Sequence, residues 1–140
     1  MTLHVPELAP YVLPRLFGAG RAITHGFSMF EYFCPYEVID RQNPERRDWA
    51  APMASGLTED YALIARAPEP ETGQLMLVIA GLGEKGSAAA LEFVTNPKYL
   101  DQFAVQAPPG WERRNIELVI KSNLVNDDWG EPRVVASHFW

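Results

Sequence analysis

The sequence predicts an α/β-type (α+β) domain: a mixed β-sheet of about five to six strands, with two hairpins and one strand–helix–helix–strand crossover. Three observations predict it. Runs rich in β-branched and aromatic residues are separated by glycine and proline clusters, the pattern of strands and turns. Leu75 to Ala80 is apolar at every position, which points to a strand buried on both faces in the middle of a sheet. Two helical patterns then fill the stretch between that run and the next strand, so the connection is a crossover between strands pointing the same way.

The elements follow in order. Residues 1–20 carry Pro6, Pro10 and Pro14, which interrupt a long helix, and are read as a lead-in that docks on a single domain spanning 21–140. Strands are expected near Ala22 to Phe27 and Glu37 to Asp40. Residues 41–58 hold two prolines, a glycine and a charge cluster, the composition of a long surface loop. Asp60 to Ala67 and Leu75 to Ala80 flank a Pro/Gly turn and should form a hairpin. Ser87 is read as the cap of a helix over 88–95. Asn96 followed by Pro97 starts a second helix, whose buried stripe is Leu100, Phe103, Ala104 and Ala107. Asn115 to Val125 and Arg133 to Trp140 make a second hairpin, with Trp111, Trp129 and Trp140 closing off the core.

Composition excludes several classes. With 140 residues and 47% apolar, the chain can fill one core. A net charge of −6 disfavours broad nucleic-acid binding. A single cysteine, Cys34, rules out an intrachain disulfide and a multi-cysteine metal site. The apolar runs are too short to span a bilayer and no signal peptide is visible, so a cytoplasmic location is expected.

Two clusters stand out as candidate ligand sites. Gly81-Leu82-Gly83-Glu84-Lys85-Gly86-Ser87 fits G-x-G-x-x-G between an apolar strand and a helix. Such a turn brings backbone N–H groups close to an anion, and Lys85 could add charge. The dinucleotide fingerprint is incomplete, because no second parallel strand ends in an acidic residue at the right distance. The alternative is that the glycines only permit a tight turn. The second cluster is Arg41, Asn43, Arg46, Arg47, Asp48 and Trp49, where arginines could hold a carboxylate or phosphate around an aromatic anchor. Its alternative is a salt-bridged loop with Trp49 tucked onto the core. Cys34, His25 and Asp40 can be imagined as a catalytic set, but no nucleophile signature surrounds Cys34. His4, His25 and His138 have no close-spaced partner, so no metal site is assigned.

The blocks GRAITHGF, IDRQNP, TEDYALIAR, LMLVIAGLGEKGSAAALEFVTNP, APPGWERRNIELVI and EPRVVASHFW resemble a group of uncharacterised bacterial proteins, over Gly20 to Trp140. There a similar segment ends longer chains, some of them membrane-anchored. The resemblance implies a sensory, ligand-binding or interaction domain, with self-association supplying what the longer chains add. It carries over no catalytic residue and no cofactor. The expectation is therefore a non-enzymatic ligand-binding or protein-interaction domain, a homo-oligomer. The alternative is a binder of a phosphorylated or anionic small molecule at Gly81–Ser87, possibly an enzyme.

Overall fold

The computed structural model describes residues 21–23, 27–30, 36–40, 42, 43, 45, 48–51, 58–69, 71–126 and 128–140. The fold is α+β, with two helices and two sheets. The first sheet is an antiparallel meander of β1 (Arg21–Ile23), β2 (Phe27–Phe30), β3 (Tyr36–Asp40) and β4 (Trp49–Ala51). The second holds β5 (Glu59–Pro68), β6 (Leu75–Gly81), β7 (Ile116–Val125), β8 (Asp128–Trp129) and β9 (Arg133–Phe139). Its order is β6-β5-β7, with β8 and β9 both beyond β7.

Both expected hairpins form, β5 with β6 and β7 with β9. In the first turn Gly73 supplies φ of 68°. The Glu69 carboxylate ties that turn down by accepting from the N–H groups of Glu71 and Thr72. The crossover from β6 to β7 runs through α1 (Glu84–Thr95) and α2 (Pro97–Gln106). β6 and β7 point the same way, with β5 between them and antiparallel to each.

Side chains along β5 alternate between two layers. Ala62 and Ile64 meet Ala90 and Phe93 of α1 and Tyr99 and Phe103 of α2. Tyr61 and Leu63 meet Val38 and Trp49 of the first sheet. The second sheet is thus covered by helices on one face and by the first sheet on the other. Its central strands are β5, almost wholly buried, and β7, buried over Ile116–Ile120.

Several expectations are corrected. Leu75 to Ala80 is not central: β6 is the margin of its sheet among the described strands, with Leu75 70% and Leu77 52% exposed. Uninterrupted apolarity did not mark the middle. The central strand β5 carries Asp60 and Arg66 because each finds backbone partners; the Arg66 guanidinium donates to the carbonyls of Trp111 and Arg114 at 2.8 and 2.7 Å. The loop at 41–58 contains β4, because Trp49 pairs opposite Val38 and packs on the core. Ser87 is not a cap. It lies inside α1, its hydroxyl donating to the Gly83 carbonyl one turn back, and Gly83 holds the N-cap position. Asn96 does cap α2, accepting from the Lys98 N–H at 3.1 Å. The buried side chains of α2 are Tyr99 and Phe103, whereas Ala104 is exposed. The lead-in at 1–20 lies outside the described residues.

Candidate functional site

The glycine turn after β6 is built around a carboxylate from another strand. Asp60, at the start of β5 and 2% exposed, accepts from the N–H of Tyr61 at 2.8 Å and from the N–H of Gly86 at 2.7 Å. The first turn of a helix presents unpaired N–H groups and a partial positive charge, and a carboxylate answers both. Asp60 therefore occupies the place where an incoming anion was expected. The Leu82 N–H is also taken, by the Tyr61 carbonyl at 2.8 Å.

This arrangement accounts for the glycines. A Cβ on Gly83 would sit 2.6 Å from Asp60 Oδ2, and one on Gly86 would collide with the Tyr61 carbonyl oxygen. Lys85 turns away from the loop, its ammonium 5.7 Å from the Trp129 ring centre. A phosphate at Gly81–Ser87 would have to compete with a buried carboxylate that already accepts from the Gly86 N–H. Asp60 was missed in the sequence because it precedes the turn by more than twenty residues. The available signal was a carboxylate at the mouth of an apolar strand whose hairpin partner runs into a glycine turn.

The second cluster is divided. Arg41, Arg46 and Arg47 lie outside the described residues, as do His4, His25 and Cys34. Asn43 is exposed and donates to the Asp40 carboxylate at 2.8 Å. Asp40 also accepts from the Gln42 N–H at 2.9 Å, so it organises its own turn. Asp48 offers its carbonyl to the Tyr61 hydroxyl at 3.3 Å, and Trp49 packs against the core. The described part of this cluster therefore tethers the loop to the second sheet.

Tyr61 links that tether to an ion pair. Its hydroxyl donates to Glu59 at 2.7 Å, and Glu59 pairs with Lys121 of β7. The Lys121 ammonium and the Tyr61 hydroxyl hold Glu59 below the usual carboxylate range. Burial, followed by the bond to Glu59, pushes the Tyr61 phenol well up. Among the described residues no three His, Cys, Asp or Glu side chains lie together as a metal-ligand set. Among them no helix is long and apolar enough to cross a membrane.

The two margins of the second sheet differ. β9 carries Arg133 and His138, and a register shift interrupts its ladder with β7. Charges and bulges are the usual protection of an edge strand. β6 has neither: Leu-Met-Leu-Val-Ile-Ala-Gly holds no charge and no proline, and its seven pairs with β5 are continuous. No family model, curated protein or solved structure that was compared matches this chain.

Proposed function

We propose that the chain is a non-enzymatic interaction domain that works as a homo-oligomer, its contact being the outer edge of β6. One observation carries this reading. An uncharged seven-residue edge strand presents two leucines that are 70% and 52% exposed. An unprotected edge offers a row of N–H and C=O groups to another strand. A two-fold axis beside β6 would set it antiparallel to its own copy, with no like charges opposed.

Magnitudes place the strength of the contact. Four leucines across the pair, none of them fully exposed at the start, contribute about 4–8 kcal/mol. Lost translational and rotational freedom costs about 4–15 kcal/mol. The two ranges overlap, so leucine burial alone leaves little surplus and a weak, reversible pairing is expected.

Sedimentation equilibrium of the full chain tests it. The weight-average mass is expected to climb toward twice the chain mass between about 10 μM and about 1 mM. The double substitution Leu75→Lys/Leu77→Lys is expected to hold it at the monomer. Val105→Lys, at an exposed position on α2, is expected to leave association unchanged. A parent chain that stays monomeric over the whole range, or a double variant that associates as the parent does, defeats the reading.

A further inference from the structure

At the opposite margin of the second sheet from β6, a cleft of about 230 Å³ opens between α2 and the start of β9. Its floor is aromatic. Phe93 and Phe103 meet edge to face with ring centres 6.2 Å apart, and Tyr99 stacks on Phe93 at 6.5 Å. These three rings are fixed by the core and nearly buried, so the floor is formed before any ligand arrives.

The rim is polar. Gln102 and Gln106 stand one turn apart on α2, both exposed, and neither carboxamide has a hydrogen-bond partner among the described residues. Arg133 lies on the opposite wall, within electrostatic reach of Glu131. Its neighbour Glu131 is held by Lys98. No lining residue is acidic and one is cationic, so the cleft favours an anion over a cation. An engineered apolar cavity of roughly 150 Å³ already takes benzene. The volume here therefore suits one ring with a small polar group.

We propose that this cleft binds a small aromatic carboxylate. The ring lies against Phe93 and Phe103, and the carboxylate reaches the rim, where Arg133 supplies charge and the Gln102 and Gln106 amides donate. The site is separate from the β6 edge, and occupying it neither requires nor blocks self-association.

Benzoate is the probe, titrated into the uniformly ¹⁵N-labelled full chain while the Gln102 and Gln106 side-chain amides are followed. Acetate and benzyl alcohol carry half of the chemistry each. Benzoate is expected to saturate these signals at concentrations about tenfold below either half-probe. Arg133→Gln, at an exposed position that leaves the core intact, is expected to weaken benzoate about tenfold without changing benzyl alcohol. Gln106→Trp, which fills the rim from outside, is expected to abolish the benzoate response. Equal responses to benzoate and acetate, shifts centred elsewhere, or benzoate binding that survives both substitutions overturn the assignment. None of these outcomes bears on the mass measured by sedimentation.

Discussion

Asp60 turns a local problem of the backbone into a long-range restraint. Its two oxygens bond the start of β5 and the first turn of α1, segments more than twenty residues apart in the chain. Asp60→Ala is expected to lower stability by about 2–3 kcal/mol, because a buried N–H loses a charged acceptor. Gly86→Ala should cost about 1–3 kcal/mol, since its methyl would meet the Tyr61 backbone carbonyl and not a yielding side chain. Urea unfolding of both variants checks these values. Glu59 carries a dependence on acidity instead. Its folded-state value lies below 4.5, so its ionised form is favoured by folding. That contribution is present above 4.5 and is lost as pH falls through the folded value. Lys121→Met removes the main cause. The variant is expected to be less stable than the parent at about pH 7, and the gap should close at about pH 3.

The elements differ in how plainly the sequence announces them, and the difference follows the range of their causes. α2 is legible because Asn96 and Pro97 sit next to the turn that they start. The start of α1 is not, because its partner Asp60 comes from another strand and displaces the expected role of Ser87. β6 was legible as a strand and misplaced within the sheet. Apolar composition reports contact with something apolar, and here much of the outward half of β6 meets none in the described chain. β5 shows the converse: it is the buried strand despite Arg66, whose guanidinium reaches three carbonyls around the 3₁₀ turn Trp111–Arg113. All three bonds come from one guanidinium nitrogen, and the ammonium of Arg66→Lys ends one bond short of it. The substitution is expected to cost about 1–3 kcal/mol, and amide exchange should rise first in the 110–115 segment. The cleft beside α2 was not legible at all, because it needs Phe93, Gln106 and Val134 from three separate elements.

At the scale of the molecule, the two margins of the second sheet have different characters. One ends in an uncharged strand with bare leucines, the other in a bulged strand beside an aromatic cleft. The sequence order of the strands also differs from their spatial order. β5 is made first, β6 is laid along one side of it, and the neighbour on its other side, β7, begins only at Ile116. A ribosome must therefore translate both helices before that second side can be closed. At ordinary elongation rates the wait lasts on the order of seconds. Throughout that interval the half-built hairpin displays strand backbone along both flanks, and the nascent chain is then most exposed to capture by its neighbours on the same message.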